Sequence, residues 1–193
     1  MSTTTSATVL YMSMSLDGFI TGPNVSPQNG LGDGGDRLHE WVFPAQGAVN
    51  TQIVEEFMST GAVVAGRGTF EPAEGWHGDH HAGVPIWVLS RRPIPQWASS
   101  MPSVHYTNDI AAAFRDARRA AGDSDVLVHG AATAQRAISA GLLHEMEIHL
   151  IPTLLGHGRR LFEPLGSPRL DLERIRVLQG EGGVTHLRYR IRY

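Results

Sequence analysis

Three short stretches place glycine or serine beside groups that hold anions: Gly66-Arg67-Gly68-Thr69, Ser90-Arg91-Arg92 and Gly130-Ala131-Ala132-Thr133. In the first and third, a glycine opens a run of small residues. Backbone N–H groups there can approach an anion closely, and a following helix N-terminus adds its partial positive charge. Arg67 and Arg91 carry planar guanidinium forks that meet a phosphate through paired bonds, a geometry lysine lacks. Taken singly, each stretch is as readily a tight turn or a solvated surface cation. Taken together, they describe the holding of a phosphate-rich ligand.

All three stretches end apolar runs of the kind that form strands buried on both faces. Asp125–His129 is rich in valine, Ala62–Ala65 is small and apolar, and Pro85–Ser90 has Ile-Trp-Val-Leu at its heart. Such strands in a parallel sheet deliver their carboxyl ends to one edge, where ligands bind. Val9–Ser15 and Val104–Thr107 read as further strands. Helices are expected over Asn50–Ser59, with Ile53, Val54 and Phe57 inward, from a cap at Asp109 to Ala121, and over Ala134–Leu143. Asp36–Phe43 reads as a short helix carrying Trp41, after a glycine-rich loop, Asn24–Asp36, long enough to be a lid or binding loop. Beyond Gly141 the pattern alternates over Glu145–Pro152, then over Arg174–Gly180 and Thr185–Tyr193, a hairpin turning at Gly182-Gly183. The expected fold is α/β, a mainly parallel sheet with an antiparallel edge, in one domain spanning 1–193 with residues 1–7 frayed.

Composition narrows the partners. A net charge of −3 with no long basic run leaves no electrostatic footprint for nucleic acid. The absence of cysteine excludes disulfides, thiol catalysis and Cys-ligated zinc, and fits a cytoplasmic protein. No apolar run approaches the roughly 20 residues of a membrane span. The expected ligand is a small molecule. The usual dinucleotide fingerprint, Gly-x-Gly-x-x-Gly after the first strand with an acidic residue ending the second, is missing. The cationic Ser90-Arg91-Arg92 suits an extra 2′-phosphate, which favours NADP over NAD.

Further motifs occur in order: Ser15-Leu16-Asp17-Gly18-Phe19-Ile20, Gly66-Arg67-Gly68-Thr69-Phe70, Val88-Leu89-Ser90-Arg91, the Gly130 turn, and Ile151-Pro152-Thr153-Leu154-Leu155-Gly156-His157-Gly158 through Leu161-Phe162. In these the chain resembles the dihydrofolate-reductase-like superfamily, specifically the reductase (RibD C-terminal) domain of riboflavin biosynthesis and its stand-alone relatives. The resemblance implies a three-layer α/β/α fold with a twisted sheet of about eight strands. It also implies NADPH-dependent hydride transfer to a small heterocycle, as in 5-amino-6-(5-phosphoribosylamino)uracil reductase, and a homodimer. Gly66, Arg67 and Thr69 would face the adenosine-side phosphates, Ser90 and Arg91 the 2′-phosphate, and Gly130, Ala131, Ala132 and Thr133 the pyrophosphate. Met12, Ser13 and Ile20 would wall the nicotinamide. Where folate reductases place three glycines, this chain has Gly130-Ala131-Ala132, and its central strand ends in His129. The alternatives are a folate-reductase-type activity and an NADP-binding module without catalysis.

Hydride transfer also needs a dry slot and a proton source. Asp17, just past the first strand, is positioned to orient or protonate substrate, although Asp-Gly is equally a turn former. Glu55 and Glu56 share a helix whose inward positions are apolar, so neither is chosen as the acid. His149, alternating with Ile148 and Leu150, is either a titrating substrate contact or a satisfied core histidine. Trp41 either stacks on a flat substrate ring or packs in the core. His77, His80 and His81 fit no standard zinc spacing, and no metal is expected. Leu187, Tyr189 and Ile191 share one face of the last strand and offer a pairing surface.

Overall fold

A computed structural model describes residues 6–163 and 169–193. Its strands are β1 (Thr8–Ser15), β2 (Phe19–Thr21), β3 (Ala62–Gly66), β4 (Ile86–Leu89), β5 (Val104–Thr107), β6 (Val126–His129), β7 (Glu145–Ile151), β8 (Arg159–Arg160), β9 (Asp171–Gln179) and β10 (Thr185–Arg192). Eight of them form one sheet in the order β5-β4-β3-β6-β1-β7-β10-β9, and β2 pairs with β8 apart from it. From β5 to β7 every pairing is parallel; β10 runs antiparallel to β7 and to β9. The expected mainly parallel sheet with its antiparallel C-terminal hairpin is what forms.

The period of two along each central strand divides the core into two layers. Leu10, Val64, Val126 and Val128 pack on one side against Ala113, Phe114 and Ala117 of helix α3 (Ile110–Ala121) and against α4 (Ala131–Ser139). Val9, Tyr11, Val63, Ala65 and Leu127 pack on the other against Phe70 and Phe57. Phe57 belongs to α1 (Gly47–Met58), and Phe70 closes the single turn α2 (Arg67–Phe70). The cap on α3 forms as expected, Asp109 Oδ1 accepting from the N–H of Ala112 at 3.0 Å.

Four details differ from the sequence-based expectation. Asp36–Phe43 is not a helix: only a 3-10 turn, Gly35–Leu38, forms there, because Gly34 enters left-handed (φ 73°) and Pro44 disfavours helix at Phe43. Helix α4 begins at Ala131 rather than Ala134, since Gly130 turns the chain at once and small residues fill the first turn. The β2–β8 pair is too short for alternation to reveal it. Residues 1–5 of the expected frayed end lie outside the described residues, but Ala7 is tied down, its N–H donating to Asp125 Oδ1 at 2.7 Å.

One face of β7 and β10 is charged yet covered. Register sets Arg188 opposite Glu147 and Arg190 opposite Glu145. Arg176 of β9 donates to Glu56 of α1 at 2.8 Å and to Glu147 at 3.1 Å, and Arg188 donates to Glu145 at 2.8 Å. Glu147 is fully buried, and burial raises its pKa against the pull of Arg176. Leu187 and Tyr189 of the expected pairing face are half-buried against the core, and Ile191 is buried. Removing the guanidinium takes the hydrogen bond from buried Glu147 and leaves it only Arg188 at 3.8 Å, so Arg176→Ala should cost about 3 kcal/mol, read as a lowered urea midpoint at unchanged slope.

Candidate functional site

Register decides whether the three anion-holding stretches meet. Gly66 pairs with Leu89, and Ala65 with His129, so Gly66, Ser90 and Gly130 all emerge at one rim of the sheet. The turns that follow β3 and β6 cross there. A Cβ on Gly66 would lie 2.9 Å from Thr133 Oγ1, and a Cβ on Gly130 would collide with Thr69 Oγ1. Each glycine thus faces the threonine of the other turn. Gly130 also sits at φ 90°, ψ 146°, a conformation that side chains resist. Helix α4 points its N-terminus at this rim, with Ala131 and Thr133 buried in the first turn and Ala132 exposed. Thr133 Oγ1 is buried without a protein partner among the described residues. Of the two expected helix N-termini only α4 is a helix of useful length; α2 is a single turn.

Beside the rim an open cleft of about 760 Å³ is lined by Arg67, Gly68, Arg92, Trp97, His77 and Val25, among others. Arg67 Nε lies 2.7 Å from Glu71 Oε1 on the next turn. Ser90 is used locally: its Oγ accepts from the N–H of Arg92 at 2.9 Å and donates to the Arg92 carbonyl at 2.8 Å. That loop turns Arg92 into the cleft wall, which Arg91 does not line; both are exposed. The sequence singled out Arg91, and only the hydroxyl–backbone pair distinguishes the two. Val25 comes from the glycine-rich loop, which therefore borders the site. The segment Glu74–Gly78 is left-handed throughout, φ running 50°, 62°, 48°, 53° and 87°. Three of those residues are not glycine, at roughly 1–3 kcal/mol of strain each. The turn drives Trp76 onto Phe70, His80 and His129 and leaves His77 at the cleft.

Asp17 is a clasp. Its Oδ1 accepts from Ser15 Oγ at 2.6 Å and from the N–H of Leu155 at 3.1 Å, and its Oδ2 accepts from the N–H of Gly156 at 2.7 Å. The Ser-Leu-Asp-Gly and Pro-Thr-Leu-Leu-Gly segments, far apart in sequence, are joined by one carboxylate. The Ser15 bond foremost, then the backbone amides, hold its pKa down to about 2. A group that acidic keeps no proton to give near neutrality; of the roles open to Asp17, orienting or protonating substrate or forming a turn, what the structure displays is the anchoring of two loops.

The remaining candidates separate by strand face. Met12 reaches the rim, its Sδ 3.5 Å from the N–H of Gly130. Ser13, the next residue, faces the opposite layer and accepts from Trp41 Nε1 at 2.9 Å. Ile20 is buried in the α3–α4 layer and does not wall an open slot. Trp41 packs with Leu38, Ile53, Ile151 and Val184, with 5% of its surface exposed, so a core role replaces the expected substrate stack. Its ring lies 4.4 Å from that of His149, which is also buried and sits in register between Ser13 and His186. Glu55 is exposed and Glu56 is paired with Arg176. His80 bonds His81 at 2.7 Å and His129 at 3.2 Å. Burial and its histidine neighbours hold the His80 pKa down to about 2, and burial that of His129 to about 4. The sequence names Arg92 within its cationic stretch and His129 at the strand end without giving either a separate role, and the Asn50–His186 pair carries no sequence signal.

A family model described as the RibD C-terminal domain matches residues 7–185. Among solved structures, a riboflavin biosynthesis protein from Shewanella sp. PV-4 is 25% identical with a TM-score of 0.73, covering 97% of this chain and 99% of its own. A deaminase/5-amino-6-(5-phosphoribosylamino)uracil reductase from Thermotoga maritima is 12% identical with a TM-score of 0.65; 96% of this chain is covered, spanning 56% of that one. A dihydrofolate reductase from Enterococcus faecalis, complexed with NADP(H), is 13% identical with a TM-score of 0.62, covering 97% of each chain. No curated protein matches the sequence.

The crossed turns predict that Gly130→Ala costs about 2–3 kcal/mol, from positive φ plus the clash, and that adding Thr69→Ala recovers the clash part, both read by urea unfolding. Asp17, lowered from 3.8 to about 2, stabilises the fold fully above its unfolded value, and the contribution is lost as pH falls toward 2. Carboxyl NMR should show Asp17 ionised at pH 3, and Asp17→Asn should flatten stability between pH 4 and pH 2.

Proposed function

The chain belongs to the RibD C-terminal domain family, and on that premise we propose that it is a reductase taking hydride from NADPH to a small heterocyclic substrate, like 5-amino-6-(5-phosphoribosylamino)uracil reductase. The observation that carries the reading is the crossing of the Gly66 and Gly130 turns at the rim. The cradle has the chemistry a dinucleotide needs. Thr133 Oγ1 is buried without a protein partner at the start of α4, and the glycines let the two turns come together at that N-terminus. The neighbouring folate reductase with NADP(H) supports the same assignment.

When bound, NADPH supplies the hydride. The chain's own residues hold and orient it. The α4 N-terminus and Thr133 hydroxyl meet the pyrophosphate, while Arg67 and Arg92 meet the 2′-phosphate from the cleft. Met12 brings β1 against the Gly130 turn, which sets the carboxyl end of β1 beside the nicotinamide. The Asp17 clasp fixes the loops on either side of that end. Of the carboxylates beside the site, Glu71 is paired with Arg67, Glu74 lies exposed at the cleft and Asp17 is held in its clasp.

Titration with NADPH, followed by nicotinamide fluorescence, should give submillimolar binding, with NADH weaker. Arg92→Ala and Arg67→Ala should each weaken NADPH by about tenfold or more, as loss of a hydrogen bond to a charged group does, and leave NADH nearly unchanged. Equal losses for both cofactors would remove the 2′-phosphate assignment. NADPH binding without oxidation by any heterocyclic acceptor would leave only a binding module.

A further inference from the structure

At the end of the sheet away from the rim, a pocket of about 510 Å³ lies between α3 and the segment joining α4 to β7. Arg115, Arg118, Arg119 and His144 line it, with Ala111 and Leu142 among its apolar walls. No carboxylate belongs to that lining among the described residues. Ala111, Arg115 and Arg118 recur at helical spacing, so one stripe of α3 faces the pocket. Thr8 opens β1 and His144 stands just before β7, which puts the pocket at the amino ends of strands parallel to those that form the rim.

The cations are not equally free. Asp116 accepts from Arg115 Nε at 3.0 Å and from its Nη2 at 3.1 Å, and lies 3.7 Å from Arg119. Arg118 is half-buried, and its guanidinium has no hydrogen bond or ion pair among the described residues. His144 is oriented by the first strand. The N–H of Thr8 lies 3.0 Å from His144 Nδ1. A backbone N–H only donates, so Nδ1 accepts, and the proton of the neutral ring sits on Nε2. Burial, then the Arg118 charge, holds His144 below its ordinary value against Glu145 and Asp125, so the ring is neutral near pH 7. Both of those carboxylates are answered by Arg188, at 2.8 Å and 3.5 Å. With its Nδ1 edge turned to Thr8, the ring offers the pocket its Nε2–H, which has no partner among the described residues. The Leu142 carbonyl, which would repel an anion, already accepts from the Thr8 hydroxyl at 2.5 Å. What remains to the pocket is a guanidinium fork and an imidazole N–H, both donors.

We propose that Arg118 and His144 Nε2 form a second anion site, which takes a phosphate monoester carrying a compact apolar group. The Arg118 fork meets two phosphate oxygens and His144 Nε2 donates to a third. Arg115 and Arg119 add an attractive field, and Ala111 and Leu142 receive the apolar part. The donors answer one head group, whereas a dinucleotide spreads its phosphates along its length as the rim does. The site shares no residue with the rim and does not rest on the reductase reading.

Long-range ¹⁵N–¹H spectra of protein labelled at histidine and arginine test it without turnover. The free protein should show His144 protonated at Nε2. Phenyl phosphate, added at constant ionic strength, should move His144 Nε2 and Arg118 Nε along one saturation curve and leave the Gly66 and Gly130 amides still. Arg118→Gln should weaken phenyl phosphate by about tenfold or more, as loss of a hydrogen bond to a charged group does, with NADPH affinity unchanged. His144 protonated at Nδ1 in the free protein overturns the proposal, as do shifts of the same size with uncharged phenol. So does the absence of any shift at His144 and Arg118 up to about 10 mM phenyl phosphate, beyond the millimolar range of weak sites.

Discussion

Two backbones pass each other at the rim more closely than a methyl group allows, and the site depends on that passage. Gly66 faces Thr133 and Gly130 faces Thr69, so the turns after β3 and β6 lock together through hydroxyl-to-glycine contacts. The lock can form only because β3 and β6 are parallel neighbours with Ala65 level with His129. The sheet register is therefore the cause and the anion cradle its consequence. A slip of one residue would exchange the two faces of β6 and separate the turns.

Around this lock the chain uses buried polar groups to fix what apolar packing leaves loose. Asp17 spends its charge on two backbone amides of a distant loop. Asn50, His186 and His149 form a run of hydrogen bonds from the Glu181 carbonyl. At the antiparallel edge, where β9 is exposed along much of its length, Arg176 joins Glu56 and Glu147, while Glu147 Oε1 and Arg176 Nε are buried without a partner among the described residues. For each paired group desolvation would be costly if the partner were missing, which is why the arrangement specifies one geometry. The left-handed turn at Glu74–Gly78 stores strain beside the cleft and places Trp76 under it.

The strands and most helices were legible because burial on both faces leaves an unambiguous apolar run, as in Val126–Val128, and because Asp109 is an ordinary cap. The convergence of Gly66, Ser90 and Gly130 was legible for the same reason: parallel strands share a rim. The roles of single side chains were not. Whether Arg91 or Arg92 enters the cleft depends on one hydroxyl bond from Ser90. Whether Asp17 donates a proton or clasps a loop depends on amides 138 and 139 residues away. Trp41 was ambiguous because an indole suits a core and a ligand wall equally, and the missing helix around it reflects Pro44 and Gly34.

The function of the rim turns on whether a dinucleotide lies there. Backbone amide NMR during addition of NADPH locates it directly. Binding at the rim predicts the largest shifts at Gly66, Arg92 and Gly130 to Thr133, with little change at Arg115, Arg118 and His144, which line a separate pocket. Shifts confined to that second pocket, with the rim amides unmoved, would contradict it.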